Sequence, residues 1–244
     1  MPAYLRVAES LRSDITSGEL GEGSQLPSLA EIALRFGVGR GVAERAVGQL
    51  RAEGLVVTRQ GGGSFVRKYA TIRRVSPDRL LRSVWDVGQA IQDQDLESRE
   101  PSVAVEIGEV AAPDWVAEPM GINPGELVGY RERAFVVDGR RVQLATSYEP
   151  VDLARGTAFM HTDTGPGGVY RLLSMQGLPP TNFVESIEAR VPTQYELERL
   201  DFSHRAAIVF QITRQAWHKG RCVEVNRMVL DAAVYELVYK FDAE

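Results

Sequence analysis

Two arginines, Arg131 and Arg133, lie one residue apart in a run rich in valine and aromatic residues, ELVGYRERAFVV. Alternate side chains of a β-strand point to the same face, so a strand here would present both guanidinium groups together. Such a pair can clamp a carboxylate or a phosphate, and the hydroxyl groups of Ser147 and Tyr148 would add neutral hydrogen bonds. The spacing therefore predicts an anion-binding site for a small molecule. The alternative is a surface ladder in which both arginines pair with acidic neighbours.

Further polar side chains in the C-terminal half are candidates for the same site. Glu185 could neutralise an ammonium group of the small molecule or accept hydrogen bonds from its hydroxyl groups. Arg227, Asp231 and Tyr235 follow near the C-terminus. These groups are further candidates for the predicted small-molecule site.

A second group of polar side chains lies near the N-terminus. Arg40, Glu44, Arg45 and Gln49 share one face of a predicted helix, opposite an apolar face. Arginine can donate two hydrogen bonds to guanine in the major groove, so Arg40 and Arg45 are candidate DNA contacts and Gln49 is a weaker one. Glu44 would repel phosphates or accept a hydrogen bond from cytosine, and it could also simply face solvent.

That helix is the third of three predicted in the first 54 residues. The first has Tyr4, Ala8, Leu11 and Ile15 on one stripe and ends near Gly18. In the second, Ser28 and Glu31 have capping-box spacing, with Ile32, Ala33 and Phe36 turned inward and a stop at Gly37. The third buries Val42, Ala46, Val47 and Leu50 and ends at Gly54. Two short helices joined by a tight glycine-containing turn are the helix-turn-helix arrangement.

Three glycines, Gly61 to Gly63, separate two short β-branched runs over residues 55–58 and 64–66. Glycine adopts positive φ without steric cost, so the run can close a hairpin. A phosphate-binding loop would need a helix directly after the glycines, whereas the following Ser-Phe-Val continues as a strand, and no Gly-Lys-Ser/Thr follows. The pattern therefore predicts a two-stranded wing behind the three helices.

The remainder is rich in strand-like runs. Asp138-Gly139 and Lys219-Gly220 are hairpin signals between such runs, and helices are predicted over 168–176 and 194–200. Strands joined mostly by hairpins, with helices inserted, imply an antiparallel sheet. The predicted fold class is α+β, with an N-terminal winged helix-turn-helix and a C-terminal antiparallel-sheet α+β domain.

The predicted boundaries are a DNA-binding domain over 1–69, a linker over 70–100 with a short helix around 80–91, and a second domain over 101–244. The net charge is −5, but residues 1–75 hold 11 Lys and Arg against 7 Asp and Glu, whereas the rest holds 17 against 26. The positive charge is therefore concentrated where a nucleic acid would bind.

Several classes of protein do not fit the sequence. Hydrophobic residues make up 44% and charged residues 25% of the chain, which is typical of a globular protein and not of a disordered one. The single cysteine, Cys222, offers no disulfide partner and is expected to be a small strand hydrophobe. No signal peptide or membrane span is apparent, so a cytoplasmic location is expected. The three histidines, His161, His204 and His218, form no zinc motif, and no Gly-x-Ser-x-Gly occurs, so no catalytic residue, metal or cofactor is predicted.

The N-terminal residues resemble the winged helix-turn-helix of GntR-type bacterial transcription regulators across about 65 residues. The elements of the family pattern appear in order and at the family spacing, as Leu26-Pro27-Ser28, Phe36-Gly37-Val38, Arg40-Gly41, Leu50 with Glu53-Gly54-Leu55, and Gly61-Gly62-Gly63-Ser64-Phe65-Val66. Most of residues 105–241 resembles the UTRA effector domain of the HutC branch. The matching positions there are Arg131-Glu132-Arg133, Asp138-Gly139, Ser147-Tyr148 with Pro150, and Glu185.

The resemblance implies a chorismate-lyase-like fold for the second domain and a metabolite, bound there, that loosens the regulator from DNA. It also implies that Arg40 contacts DNA at the start of its helix and that the glycine wing approaches the minor groove. The predicted DNA-binding set is Ser28, Arg40, Gly41, Glu44, Arg45, Gln49, Arg59, Gly61, Gly62 and Gly63. The predicted effector-binding set is Arg131, Arg133, Ser147, Tyr148, Glu185, Arg227 and Tyr235.

The chain departs from the family pattern at Gly39, Val42, Glu44 and Gly62, where hydroxyl or cationic residues are common. Each lost cationic contact should flatten the salt dependence of DNA binding, so weaker binding or an atypical operator is expected. The predicted function is a homodimeric repressor that binds double-stranded operator DNA and is released by a small-molecule effector. The alternatives are a DNA-binding autoregulator whose second domain only dimerises, and a lyase-like enzyme.

Overall fold

The computed structural model describes residues 1–59, 62–67, 71–88, 101–137, 139–200, 202 and 207–241. They form two compact units, one N-terminal and one that begins at Thr71. Within these ranges no helix is long and apolar enough to cross a membrane. The two units have separate cores.

The N-terminal unit contains three helices, α1 (Ala3–Thr16), α2 (Leu29–Phe36) and α3 (Arg40–Ala52). The predicted capping box at the start of α2 is confirmed, because the Ser28 hydroxyl accepts from the Glu31 backbone N–H at 3.2 Å and the Glu31 carboxylate accepts from the Ser28 N–H at 2.7 Å. The helices enclose one apolar core, which contains Val7, Ala8, Leu11, Ile32, Ala43, Ala46, Val47 and Leu50. Val42, predicted to be buried, is only half-buried, because the core-facing stripe of α3 passes through Ala43.

The predicted wing is an antiparallel pair of strands, β1 (Val56–Arg59) and β2 (Gly63–Val66). Gly61 lies outside the described residues. Gly63 has φ of +93°, and a Cβ atom added there would lie 2.7 Å from the Gln25 amide nitrogen. That same amide donates to the Gly62 carbonyl at 3.2 Å, so the loop before α2 holds the tip of the wing. Position 63 therefore requires glycine both for its backbone angle and for the space.

Replacing Gly63 with alanine should destabilise the protein by more than about 1 kcal/mol, because alanine is strained at positive φ and would also displace Gln25. Gly48→Ala is the matched control, since Gly48 lies inside α3 and nothing lies within 4 Å of the added Cβ. We expect that change to stabilise by about 0.5–1 kcal/mol. Thermal unfolding of the full chain, followed by circular dichroism, measures the change in stability of each variant. If both variants were destabilised, or both stabilised, the result would contradict the different geometry of the two glycines.

The second unit is built on a six-stranded antiparallel sheet in the order β4-β5-β6-β9-β8-β7. Its strands are β4 (Ser102–Ala111), β5 (Leu127–Val137), β6 (Arg140–Pro150), β7 (Asn182–Arg190), β8 (Val209–His218) and β9 (Arg221–Asp231). Hairpins join β5 to β6 and β8 to β9, as the sequence predicts, and the second turns at Lys219-Gly220, both with positive φ. Asp138 lies outside the described residues.

Helices cover parts of both faces of this sheet. They are α4 (Arg82–Trp85), α5 (Asp114–Met120), α6 (Val151–Ala154), α7 (Gly168–Met175) and α8 (Gln194–Arg199), with 3₁₀ turns at Asp78–Leu80 and Ala158–Met160. One core lies between the sheet and α4, α6 and α7, and it includes Trp85, Phe159 and Leu173. Another lies on the opposite face beneath α5 and includes Val116, Val128 and the free thiol of Cys222. The predicted α+β fold class is confirmed.

Part of the segment predicted as a linker, 70–100, belongs to a second, two-stranded sheet. Strand β3 (Ile72–Ser76) pairs in parallel with β10 (Tyr235–Tyr239). Its alternate residues Ile72 and Arg74 are buried, which sequence composition alone did not indicate. Residues 89–100, including the end of the helix predicted around 80–91, lie outside the described ranges.

Strand β3 is joined to the large sheet by a buried ion network. Arg74 is 1% exposed. Both of its terminal guanidinium nitrogens donate to the carboxylate of Glu185 in β7, the closer one at 2.6 Å. Arg214 in β8 donates to the same carboxylate at 2.8 Å. Burial alone would raise the pKa of Glu185, but the charges of Arg214 and Arg74 outweigh it and hold that pKa at about 2.

Replacing Glu185 with glutamine should therefore destabilise the protein by about 3 kcal/mol at pH 7, because two buried guanidinium groups lose their counter-charge. The folded-state pKa lies below the ordinary value of 4.5, so this stabilisation is present above pH 4.5 and is lost as pH falls toward 2. The difference in free energy of unfolding between wild type and Glu185→Gln, measured with urea, should be smaller at pH 4 than at pH 7 by roughly 1 kcal/mol.

The control is Glu236→Gln, which breaks an exposed pair with Arg73 whose side chains are 52% and 60% exposed. Exposed pairs contribute little, so this variant should unfold like wild type. A similar small loss in both variants would show that Glu185 is not the counter-charge of the two buried arginines.

Candidate functional site

A cavity of about 320 Å³ opens on the face of the large sheet that α7 covers. Its floor is formed by side chains of β4, β5, β6, β8 and β9, and its wall by residues 162–170, which lead into α7. Four arginines line it, and the only acidic groups among the described lining residues are Asp163 and Glu224. The lining therefore carries an excess of positive charge.

Arg131 is buried and donates to backbone carbonyl groups rather than to a carboxylate. Its guanidinium group contacts the carbonyl oxygens of His161, Thr162 and Phe159, the latter two at 2.5 and 3.3 Å. Burial and the nearby charge of Arg133 lower the pKa of Arg131 to about 10, although Asp163 opposes this shift. Arg131 thus holds the loop before α7 in place while its charge remains incompletely balanced.

Arg133 lies two residues along the same strand and faces the same cavity, as the sequence predicts for alternate strand positions. Its guanidinium group donates to the Ser147 hydroxyl on β6 at 2.6 Å, while its Nε is buried and makes no hydrogen bond within the described residues. Ser147 also accepts from the Asn226 side chain at 3.0 Å. Burial lowers the pKa of Arg133, which indicates a charge that an incoming anion would stabilise.

Arg214 reaches the cavity from β8 and connects it to the buried ion network. Besides its contact with Glu185, it donates to the Tyr170 hydroxyl at 3.2 Å, and its second terminal nitrogen is buried with no partner among the described residues. Arg79, only 4% exposed, approaches from the 3₁₀ turn after β3. The arginines that line the cavity therefore come from the large sheet and from the 3₁₀ turn after β3.

The N-terminus of α7 also faces the cavity. Gly167 is the N-cap and provides no side-chain cap, and Gly167, Gly168 and Val169 all line the cavity. The first backbone N–H groups of a helix lack partners within the helix and carry partial positive charge, which favours an anion. Guanidinium groups and a helix N-terminus converge here on one volume, an arrangement suited to a phosphate, sulfate or carboxylate.

Other predicted effector residues lie beside or away from the cavity. Glu185 lies behind Arg214 in the ion network, and Tyr235 donates to Gln143 of the lining at 3.1 Å. Tyr148 and Arg227 lie on the opposite face of the sheet, where both contact Trp115. The reason is strand alternation, since Tyr148 adjoins the cavity-facing Ser147. Asp231 is paired with Arg140.

Sequence reasoning missed several cavity residues. Arg79, Tyr170, Arg214, Glu224 and Asn226 come from segments whose register against Arg131 and Arg133 is set only by tertiary pairing. One signal was available, because the run HTDTGPGG precedes a predicted helix and offers glycine backbone at a helix N-terminus.

The face of α3 predicted to meet DNA is exposed. Arg40 is the first residue of α3 and makes no ion pair with another described residue. Arg45 donates to the Gly41 carbonyl at 3.3 Å and lies over the Tyr4 ring at 5.8 Å, with its guanidinium group exposed. Arg12 and Arg35, by contrast, are paired with Glu53 and Asp14. The exposed cations of the helix-turn-helix therefore include the two predicted DNA contacts.

The remaining predicted DNA contacts differ in their freedom to bind. Gln49 donates to Glu53 at 2.9 Å, and the Ser28 hydroxyl accepts a hydrogen bond in the α2 cap. Arg59 lies over the Phe65 ring at 4.8 Å on the wing. Gly41, Glu44, Gly62 and Gly63 are exposed. Across the described ranges no cluster of three His, Cys, Asp or Glu side chains could hold a metal ion.

The sequence matches two family models. Residues 3–66 match the gntR family of bacterial regulatory proteins, and residues 99–236 match the UTRA domain. These matches confirm the resemblance deduced from the motifs, including the pairing of a winged helix-turn-helix with a UTRA domain.

Relatives over most of the chain are named as transcription regulators. The HTH-type transcriptional regulator SCO4628 of Streptomyces coelicolor is 27% identical over 83% of this chain and 78% of its own. The mannosyl-D-glycerate transport/metabolism system repressor MngR of Escherichia coli is 21% identical over 96% and 94%.

Solved structures agree with this fold along the whole chain. A structure described as a GntR-family transcriptional regulator is 30% identical, covers 100% of this chain and 99% of its own, and superposes with a TM-score of 0.65. PhnF from Mycobacterium smegmatis shares the fold at 21% identity, with a TM-score of 0.60 over 98% of this chain and 100% of its own. The chain therefore belongs to the GntR family of bacterial regulatory proteins and is a DNA-binding transcription regulator with a UTRA effector domain.

Proposed function

We propose that the protein is a homodimeric, cytoplasmic repressor that leaves its operator when an anionic metabolite occupies the arginine-lined cavity. The observation that carries the proposal is the cavity itself. Arg131, Arg133 and Arg214 surround a volume large enough for a small metabolite, yet only Arg214 among them is hydrogen-bonded to a carboxylate. Repression is supported by the relative MngR, which is named a repressor.

The proposed effector has an anionic end and a hydrogen-bonding end. Arg131, Arg133 and the N-terminus of α7 suit a phosphate or carboxylate. Across the cavity, Glu224 and Asn226 offer oxygen acceptors that suit hydroxyl or ammonium groups, and Asn226 Oδ1 is buried and accepts no hydrogen bond from the described residues. A buried acceptor without a donor is costly, so a ligand that supplies donors gains affinity there.

DNA recognition is assigned to α3 and the wing. Arg40 and Arg45 would meet base edges or phosphates in the major groove, and the wing would approach the minor groove. Two copies of α3 must reach major grooves about 34–36 Å apart, which is why a dimer is proposed. Glu44 would shift the base preference toward cytosine or weaken phosphate contact.

The effector acts in this proposal by favouring one of two spacings of the DNA-binding units. It can shift that equilibrium only by its differential affinity for the two states. The alternative in which the second domain serves only for dimerisation gives no reason for a cavity lined by guanidinium groups. The alternative of a lyase-like enzyme is disfavoured by the relatives, which are named as regulators.

Sulfate tests the anion site without knowledge of the natural effector. A ligand that binds only the folded protein raises its free energy of unfolding, by about 2.7 kcal/mol when the ligand concentration is 100 times the dissociation constant. The thermal midpoint rises with it. We expect sulfate to raise the midpoint of wild type more than matched chloride does, and Arg133→Ala to lose most of that increase. Arg227→Ala, an arginine on the opposite sheet face, is the control and should keep it. Equal sulfate responses in the two variants would remove the cavity from the proposal.

DNA binding is tested by fluorescence anisotropy on the DNA upstream of the protein's own coding sequence, with scrambled DNA for comparison. The dissociation constant should depend on salt with a slope of several units, and Arg40→Ala or Arg45→Ala should each reduce that slope by about 0.9 if the arginine meets a phosphate. An arginine that reads a base should instead cost about 1–3 kcal/mol on the specific sequence and little on scrambled DNA.

Arg73→Ala, which changes an exposed arginine of the second unit, is the control for the loss of one positive charge. It should leave both the affinity and the salt slope unchanged. If the α3 variants behave like this control, the assignment of α3 as the DNA-reading helix fails, whatever the effector cavity binds.

A further inference from the structure

We propose that Glu149 and Glu224 form a carboxylic acid–carboxylate pair that shares one proton, and that Glu149 is thereby a positioning residue for the acceptor that Glu224 presents to the cavity. The inference rests on the proposed function for its link to the effector, but the proton-sharing pair itself does not. It concerns Glu149, a side chain outside the cavity lining and outside the predicted effector set.

The pair is placed by strand register. Strands β6 and β9 are antiparallel neighbours, and the ladder between them ends at the pair formed by Tyr148 and Val225. One step further along the two strands stand Glu149 and Glu224. Residues directly opposite on neighbouring strands have Cβ atoms about 4.5–5.5 Å apart, close enough for two glutamate side chains to meet.

Both carboxyl groups lie on the cavity side of the sheet and are removed from water. Glu149 is 1% exposed and Glu224 is 2% exposed. Glu149 pairs across β5 with Gly129, where an added Cβ would lie 2.5 Å from Ala154 and 3.3 Å from Phe159, so the apolar side chains of α6 and the following turn close over this position.

Three of the four carboxyl oxygens, both of Glu149 and Oε2 of Glu224, are buried and accept no hydrogen bond from the described residues. Two ionised carboxylates offer only acceptors, so neither can satisfy the other. A proton on Glu149 converts one acceptor into a donor, and in the proposed pair the unpartnered Oε2 of Glu224 accepts that hydrogen bond. One proton therefore removes the repulsion and satisfies two buried groups at once.

The charged and titratable neighbours leave Glu149 as the member that holds the proton. Glu224 faces Tyr170 of α7, Arg214 of β8 and Arg133 of β5, and the Cys222 thiol lies on its own strand. Burial, and after it the charge of Glu224, raises the pKa of Glu149 well above its ordinary value of 4.5. Arg133 and Tyr170 lie near Glu224, whereas an apolar layer, which favours a neutral carboxyl group, closes over Glu149.

A neutral Glu149 fixes one oxygen of Glu224, so that the pair presents one oriented negative charge to the cavity. At a pH high enough to remove the shared proton, the two charges repel and the acceptor geometry is lost. The affinity of an effector that donates hydrogen bonds to Glu224 would then fall at alkaline pH. Effector release of DNA becomes sensitive to pH through a residue that need not touch the effector.

The test is the thermal midpoint of wild type and Glu149→Gln from pH 5 to pH 8, in the full chain without ligand. A carboxyl whose folded-state pKa is raised contributes stability below its unfolded-state value and loses it as pH rises through the folded-state pKa. Glutamine keeps the shape and can donate to Glu224 at every pH. We expect the midpoint of Glu149→Gln minus that of wild type to rise by at least about 3 °C across this range.

Glu188→Gln, which changes an exposed glutamate on β7 of the same sheet, is the matched control, and its midpoint minus that of wild type should not depend on pH. Glu224→Gln is the second variant, because removing the partner's charge should weaken the pH dependence that Glu149 causes. A midpoint difference for Glu149→Gln that stays constant from pH 5 to pH 8 would overturn the pair.

The sulfate and DNA experiments report on the proposed function separately. If the midpoint of Glu149→Gln minus that of wild type depends on pH but sulfate does not stabilise the protein, the proton-sharing pair is supported and the proposed effector cavity is contradicted. If sulfate binds and the midpoint difference is flat, the cavity stands and the pair does not.

Discussion

The second unit depends on one carboxylate that neutralises two buried guanidinium groups. Glu185 accepts from Arg74 on one side and Arg214 on the other, and all three side chains are largely withdrawn from water. Buried charges are tolerated only when they are paired and hydrogen-bonded. The position of Glu185 in β7 therefore fixes where β3 can lie and how Arg214 enters the cavity. The ion network joins β3 to the edge strand β7 and to its neighbour β8.

The same charge balance explains why the cavity is poised for an anion. Glu185 is occupied by Arg74 and Arg214, so it cannot also neutralise Arg131 or Arg133. Those two arginines are hydrogen-bonded to carbonyl and hydroxyl oxygens, which orient them without cancelling their charge. Preorganised donors of this kind need little rearrangement when a ligand arrives, which lowers the entropic cost of binding.

Local patterns were sufficient to predict much of the fold. The capping box at Ser28, the glycine wing and the hairpin at Lys219-Gly220 depend on residues close together in sequence, and all three are present. Alternation correctly placed Arg131 and Arg133 on one face. It could also have separated Ser147 from Tyr148, which are neighbours on a strand and so face opposite sides.

What sequence reasoning could not supply was long-range register. The parallel pairing of β3 with β10 joins residues about 160 positions apart, and nothing local in Ile72–Ser76 announces it. Arg214 and Glu224 enter the cavity through a register that shifts between Ala216 and Trp217, an irregularity that no periodicity shows. Strands this far apart in sequence pair according to their packing and charge. A site that combines residues from such strands can therefore be predicted only in part from the sequence.

The pairing of β3 with β10 has a consequence for how the chain matures during synthesis. The three N-terminal helices and the wing share one apolar core that runs from Val7 to Val66, so this core can form once those residues have left the ribosome. Strand β3 is made soon afterwards, yet its partner Tyr235–Tyr239 follows only about 160 residues later. A nascent chain can therefore hold a folded helix-turn-helix core while the two-stranded sheet of the second unit still lacks one of its strands.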